Sequence, residues 1–272
     1  MPELPEVETV KNGITPHILN TYIEKATLYR QKLRFELDPD FVKKLTGQKI
    51  LQTSRRGKHL IIKMHSRNLI IHLGMSGTLQ ITDKQNYHIK KHDHIVLTLS
   101  NQNVLFFNDP RRFGYWHICD EDPLLHSCFK NYGPEPLSND FDAAYLFDIV
   151  KSKKQTIKSV IMNNNIVTGV GNIYACESLF HAAIKPTRLA SALNYDECKA
   201  LCQAIKNVLQ QAITQGGTTL KDYKNAQGKP GYFSQSLYVY GKKGMPCLKC
   251  QSLIESLVIA QRNTFFCQKC QR

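Results

Sequence analysis

Along the 272-residue chain the hydrophobic pattern changes period more than once. Residues 5–19 follow a helical repeat, with Pro16 expected to kink or shorten the helix. From about 22 to 119 the pattern turns strand-like, as at Tyr22–Tyr29, His59–Met64, Asn68–Leu73, His94–Leu99 and Val104–Phe107. Gly57, Ser66-Arg67-Asn68, Gly74 and Asn101-Gln102-Asn103 separate these runs as turns. Residues 131–140 hold two prolines and a glycine and read as a linker. Helical periodicity returns at Ala143–Val150, Gln155–Met162, Ile173–Ala183 and Asp196–Thr214. Residues 216–236 are glycine-rich and polar and read as a mobile loop. The last 35 residues read as short strands and turns around cysteine pairs.

Composition narrows the class. Hydrophobic residues make up 42% and charged residues 21%, which argues for folded domains rather than wholesale disorder. No apolar run reaches the roughly 18 residues of a membrane helix. The acidic, proline-bearing start Met-Pro-Glu-Leu-Pro-Glu is unlike a signal or transit peptide, so a cytoplasmic protein is expected. The net charge of +14 attracts polyanions, and nucleic acid is the default partner. Residues 221–272 carry nine Lys/Arg against two Asp/Glu, so half of the surplus (9 − 2 = +7) lies in that tail.

Nine cysteines make a disulfide framework unlikely in an unexported chain. Four of them form Cys247-x2-Cys250-x16-Cys267-x2-Cys270, which can offer four thiolates tetrahedrally to one structural Zn²⁺. His88, His92 and His94 imitate a metal cluster, but nothing completes one, and solvated or phosphate-contacting histidines are the preferred reading. Cys198 and Cys202, four apart on a helix, read as core. At the N-terminus, removal of Met1 would expose Pro2 as a secondary amine. Such an amine titrates near 7.7–8.0 and can attack an aldehyde carbon to give an iminium ion, with Glu3 and Glu6 close by as acid and positioning carboxylate. On residue chemistry alone, an acidic helix start preceded by proline explains the segment better. Arg55-Arg56-Gly57-Lys58, His72-Leu73-Gly74-Met75-Ser76-Gly77 and Asp109-Pro110-Arg111-Arg112-Phe113-Gly114 place cations or apolar groups on loops. Such loops hold phosphates and wedge base steps apart. Val167-Thr-Gly-Val-Gly-Asn172 leads into a helix whose N-terminus suits a phosphate.

Taken together these motifs resemble the bacterial formamidopyrimidine-DNA glycosylase family. The match begins at Pro2-Glu3-Leu4-Pro5-Glu6-Val7-Glu8 and runs through the three loops and Gly169-Val-Gly-Asn172-Ile-Tyr-Ala175. It continues through Gly216-Gly-Thr-Thr-Leu to the four-cysteine finger with Gln261-Arg262. The resemblance implies an α+β chain of three parts: an N-terminal β-sandwich with a leading helix (1–130), a helix–two-turn–helix domain with a lesion-sensing loop (141–236, after the 131–140 linker) and a zinc finger (237–272). DNA would lie between the domains, with the damaged purine flipped out because its sugar carbon is inaccessible in the stack. The implied activity is removal of oxidised purines followed by strand nicking through β- and δ-elimination. The implied partner is double-stranded DNA with an oxidised purine or abasic site, bound by a monomer.

The family roles transfer motif by motif. Pro2 would be the Schiff-base nucleophile and Glu3 the proton donor at the sugar. Glu6 would belong to the lesion site, and Lys58 would act in β-elimination. Arg262 would be the δ-elimination donor, though an arginine with pKa above 12 suits a phosphate clamp better. Met75, Arg111 and Phe113 would fill the vacated stack, and His72, His92, Lys153 and Asn172 would touch DNA. The loop from Gly216 to about Tyr232 would sense the oxidised base.

One stretch and two single positions depart from the family pattern: Asn163-Asn164-Asn165 where an acidic residue is frequent, Lys242 for arginine, and Gln251 for glycine. They put turn stability and phosphate geometry in doubt. Two alternatives stand beside this reading. One is an endonuclease VIII-like enzyme for oxidised pyrimidines. The other is a noncatalytic zinc-ribbon DNA binder, which would need none of Pro2, Glu3 or Lys58.

Overall fold

The computed structural model describes residues 2–218, 226 and 231–272. The chain forms two units, residues 1–130 with 215–234 and residues 131–214 with 235–272. The sequence reading groups 215–234 with the helices, and packing places it in the first unit. Ala226 is fully buried in that unit's core, and its carbonyl accepts from Ile81 N.

In the first unit, α1 (Leu4–Ile18) leads into β1 (Ile23–Leu28), α2 (Phe41–Leu45) and seven further strands. These are β2 (Ile50–Arg56), β3 (His59–Met64), β4 (Asn68–His72), β5 (Thr78–Asp83), β6 (Asp93–Leu99), β7 (Asn103–Asn108) and β8 (Tyr115–Cys119). They form two four-stranded antiparallel sheets, ordered β2-β3-β4-β8 and β1-β6-β7-β5. Leu60, Ile62, Leu69 and Ile71 of the first sheet share one core with Leu79, Ile95, Leu97, Leu105 and Phe107 of the second. That shared core makes a β-sandwich. Val7, Val10, Ile14 and Ile18 join it, at the three- and four-residue spacing of one helix face. Pro16 sits in the last turn of α1, and the helix ends two residues later.

The β3-β4-β8 sheet carries a ring cluster. His72 stacks on Tyr115 at 5.0 Å, and His59 lies 4.9 Å from His72 and edge-on to Phe129. Burial, reinforced by the charge of His72, pushes the His59 pKa down to about 3. Burial, then Lys58 and Arg34, pushes His72 down to about 4. Both rings are therefore neutral when folded, while in the unfolded chain they titrate near 6.5. Their stabilising contribution is complete above that value and is lost as pH falls from about 6.5 toward 4 and 3. At pH 5 the loss is about 2 kcal/mol per histidine. The thermal midpoint should drop clearly between pH 7 and 5, and a flat profile would contradict the two depressed values.

In the second unit, α3 (Ala143–Val150), α4 (Ile157–Ile161), α5 (Asn172–His181) and α6 (Tyr195–Thr214) precede the hairpin of β9 (Ile254–Ile259) and β10 (Arg262–Cys267). Asp142 caps α3 through Tyr145 N, and Thr156 caps α4 through Ser159 N, which starts α4 two residues later than the periodicity suggests. Helix α5 is buried from Ile173 to Phe180, and its end at Ala182 precedes Ala183 in the left-handed region. Cys198 and Cys202 are buried on α6, as core residues. The finger packs on α5 through Cys176, Phe180, Val239, Cys247, Ile254 and Cys267. The buried Glu177 carboxylate accepts from the backbone N–H groups of Tyr238, Val239 and Tyr240 at 2.8–2.9 Å, which pins the chain entering the finger.

The departures from the family pattern have local answers. Asn163 Oδ1 accepts from Asn165 N and Asn164 Oδ1 from Gly169 N, so neutral side chains fill the turn. Lys242 Nζ donates to Leu237 O. Gln251 sits at φ +63°, a conformation glycine adopts without strain. Gln251→Gly should raise stability by about 0.5–1 kcal/mol, read as a higher melting midpoint.

Candidate active site and nucleic-acid interface

In the first unit the site is built around the start of α1. Glu3 is the N-cap and Glu6 the third helical residue of a capping box, which fixes both carboxylates in sequence-local geometry. Glu6 Oε2 accepts from Glu3 N at 2.7 Å, and Glu6 Oε1 accepts from Thr218 N at 2.7 Å. Glu6 is 1% exposed and Glu3 3%. One buried carboxylate thus holds the backbone beside Pro2 and the root of the Gly216–Tyr232 segment. The rest of the expected lesion-sensing loop lies largely outside the described residues, apart from Ala226, Gly231 and Tyr232.

Lys58 stands in the turn between β2 and β3, and a link unforeseen in the sequence ties this turn to α1. Arg55 Nε donates to Glu8 Oε2 at 2.8 Å, and an Arg55 terminal nitrogen donates to Gly57 O. Burial opposes the Glu8 charge, yet hydrogen bonds from Lys11 and Arg55 hold its pKa below the ordinary carboxylate value. Glu8 and Arg55 both lie inside quoted motifs, but their 47-residue separation hides the contact.

Two turns present the apolar groups. Met75 is 40% exposed and Phe113 42%, and the Arg111 guanidinium lies 4.8 Å from the Phe113 ring centre. Asp109, fully buried, joins the turns: Oδ1 accepts from Ser76 Oγ at 2.7 Å and Oδ2 from Gly114 N at 2.8 Å. Ser76 Oγ in turn accepts from Arg111 N. Gly74, at φ +69°, leaves no room for a side chain, since a Cβ there would sit 2.3 Å from Gly114 N. Asp109→Ala strands the Gly114 N–H and the Ser76 hydroxyl, at about 1–3 kcal/mol for each buried unsatisfied group. Lesion excision is then expected to slow, as is also expected for Phe113→Ala, with both variants folded by circular dichroism. An Asp109→Ala protein excising at the wild-type rate would remove this residue from the wedge.

The histidines divide. His94, read as solvated or phosphate-contacting, is instead buried, with Nε2 donating to Asp109 O at 2.9 Å. The reason is its place in β6, whose inward register the sequence pattern did not separate from the turn before it. His92 is half-buried in that turn, and its ring centre lies 6.4 Å from that of His94. His72 Nδ1 accepts from Gly74 N, so its remaining proton is on Nε2 and the neutral ring supports the Met75 turn.

In the second unit, Lys158 is 1% exposed and donates to Asn172 Oδ1 at 2.5 Å and Thr264 Oγ1 at 2.6 Å. Asn172 Nδ2 donates to Asn263 O, and Thr264 Oγ1 to Arg262 O. The glycine turn before α5 is therefore tied to the hairpin that carries Arg262. Lys158 had no motif to flag it. Arg262 is exposed beside Ala260 and Gln261, both in the left-handed region as a two-residue hairpin turn requires. Lys153 is half-buried just after α3.

The Sγ atoms of Cys247, Cys250, Cys267 and Cys270 all lie within 4.8 Å of one another. Four convergent thiols without a carboxylate or histidine fit a closed tetrahedral Zn²⁺ site. No other group of this kind occurs among the described residues.

This arrangement has relatives. Residues 1–116 match the formamidopyrimidine-DNA glycosylase N-terminal domain, 132–224 the family's H2TH domain, and 244–272 the zinc finger found in FPG and IleRS. A formamidopyrimidine-DNA glycosylase of Vibrio vulnificus is 51% identical, with both chains covered in full. The chain belongs to the formamidopyrimidine-DNA glycosylase family. A Haemophilus influenzae glycosylase of the family is 49% identical over all of this chain and 99% of its own. Among solved structures, the Lactococcus lactis Fpg in complex with DNA containing an abasic site superposes with a TM-score of 0.92 at 33% identity, covering both chains in full. The MutM (Fpg) protein of Thermus thermophilus gives 0.87 at 33% identity, over 99% of this chain and 98% of its own. With the finger's family match, the cysteine cluster holds one structural zinc. Among the described residues no helix is long and apolar enough to cross a membrane.

Proposed function

We propose that this formamidopyrimidine-DNA glycosylase family member removes oxidised purines from DNA in base excision repair and nicks the resulting abasic strand. The observation that carries the reading is the buried Pro2-Glu3 start, held by the Glu6 carboxylate at the N-terminus of α1. The amine of Pro2 attacks the sugar C1′ as the glycosidic bond breaks, and Glu3 supplies a proton to the sugar ring. The resulting iminium draws electrons from the adjacent carbon, so loss of a proton there expels the 3′ phosphate. Lys58 serves this β-elimination. A second elimination releases the 5′ phosphate while Arg262 clamps the backbone. Met75, Arg111 and Phe113 occupy the space of the flipped nucleotide, whose unstacking costs a few kcal/mol. His92, Lys153, Asn172 and the Nε2–H of His72 contact the DNA.

Solved Lactococcus Fpg complexes contain Fapy-dG DNA, abasic-site DNA and DNA with an oxidised pyrimidine, so a lesion panel must include all three. Borohydride reduction on a duplex with one 8-oxoguanine should trap a covalent protein–DNA adduct. Excision of oxidised pyrimidines alone would move the chain to the endonuclease VIII-like reading. Binding without trapping would leave a noncatalytic DNA binder.

A further inference from the structure

A pocket of about 370 Å³ opens in the first unit between the end of β1 and the turn before β6. Tyr29, Arg30, Ile89, Lys90, Lys91, Asp93 and His94 line it. Its acid is already committed. Asp93, 3% exposed, accepts from Tyr87 Oη at 3.0 Å, from Lys90 N at 2.9 Å and from Asn108 Nδ2 at 2.8 Å. All three donors are neutral, so its carboxylate fastens the turn and neutralises no side-chain cation by contact. Arg30, Lys90 and Lys91 are exposed and make no salt bridge among the described residues. Three cations against one carboxylate leave the pocket at +2, with the Tyr29 ring and the Ile89 side chain as half-exposed apolar walls.

The pocket also has a fixed relation to the wedge. His92 O accepts from Asp109 N, and His94 Nε2 donates to Asp109 O, so the strand end lining the pocket carries the turn of Arg111 and Phe113. Tyr29 N donates to His94 O, which locks the opposite wall to the same strand. Unpaired cations beside an aromatic ring, on a frame shared with a base-stack wedge, match a nucleotide: phosphate oxygens for the cations and a sugar or base face for Tyr29 and Ile89.

We infer that this pocket binds a nucleotide phosphate, adding Arg30, Lys90 and Lys91 to the chain's nucleic-acid contacts. The inference rests on the proposed action on DNA for one source of that phosphate, the backbone flanking the lesion. A free nucleotide is the other source.

The test is the double variant Arg30→Ala with Lys90→Ala, two exposed positions outside the catalytic set. Binding to a 25-base-pair duplex with a central tetrahydrofuran site is measured from 50 to 200 mM salt. Binding of dAMP and of inorganic phosphate is measured by calorimetry, and borohydride trapping at saturating lesion DNA serves as control. The expected result is a salt slope lower by roughly two phosphate contacts and an affinity about tenfold weaker at 100 mM salt, with trapping unchanged. An unchanged slope, with dAMP binding present in the wild type and lost in the variant, would also support the pocket and assign it to free nucleotide. An unchanged slope with no dAMP or phosphate binding would overturn it. Should the wild-type protein neither bind nor trap lesion DNA, the proposed function fails, and the dAMP measurement alone decides the pocket.

Discussion

Replacing Pro2 with glycine should cut borohydride trapping on an 8-oxoguanine duplex by roughly a hundredfold or more, while the protein stays folded and still binds lesion DNA. In the proposed role, Pro2 must present an unprotonated amine. A proline nitrogen is secondary: once its single N–H proton is lost and the sugar ring opens, the iminium at C1′ has no N–H left to lose and stays cationic. Glycine supplies a primary amine on a backbone free to leave the attack geometry. The fold should tolerate the change because α1 is held by Val7, Val10, Ile14 and Ile18 in the core and by the Glu3–Glu6 capping box, none of which uses the Pro2 ring. Mass spectrometry of the trapped peptide should place the adduct on a chain lacking Met1. Full trapping by protein that retains Met1 would sink the assignment, since an acylated proline nitrogen has no lone pair to donate.

Cys247→Ser, or removal of zinc by a chelator, should lower affinity for lesion duplexes on the order of a hundredfold and abolish nicking. Structural zinc in small fingers supplies apparent binding energies of about 10–16 kcal/mol, which is folding energy for the hairpin it closes. The loss should spread inward, because Cys247, Cys267 and Ile254 share a cluster with Cys176 and Phe180 of α5. Through Thr264 and Asn263 it should also free Lys158 and Asn172, leaving a buried ammonium short of a partner. Helix α6 and the β-sandwich have their own apolar contacts, so most of the circular dichroism signal should persist. A metal assay reporting no zinc, or a Cys247→Ser protein that nicks normally, would overturn this account.

Local chemistry was legible where a residue's role depends on its neighbours in the chain. The strand His59–Met64 and the helix Ala143–Val150 have the bounds their hydrophobic patterns indicate, because the strand is an apolar run buried at every position but Lys63 and the helix buries Leu146 and Val150 at helical spacing. The two C-x2-C pairs place four thiols together, since each knuckle is a local turn and a short hairpin returns the second pair to the first. The exposure of Met75 and Phe113 followed from their turns.

Contacts between residues distant in the chain were decided by tertiary structure. Glu8 meets Arg55, Ser76 meets Asp109, and Lys158 meets Thr264 across 106 positions. No periodicity encodes these pairs, because sheet order and helix docking create them. His94 entered the core because β6 begins one residue before it and turns its ring toward Asp109. The segment 215–234 joined the sandwich because Glu6 captures Thr218 N and Ala226 fills a core site. Composition thus determined a basic, zinc-bearing chain, and motif order pointed to its family. The tertiary structure decided which buried acids and which lysine hold the α1 start, the two apolar turns and the hairpin in place, since a buried charge is tolerated only where the fold brings its partners to it.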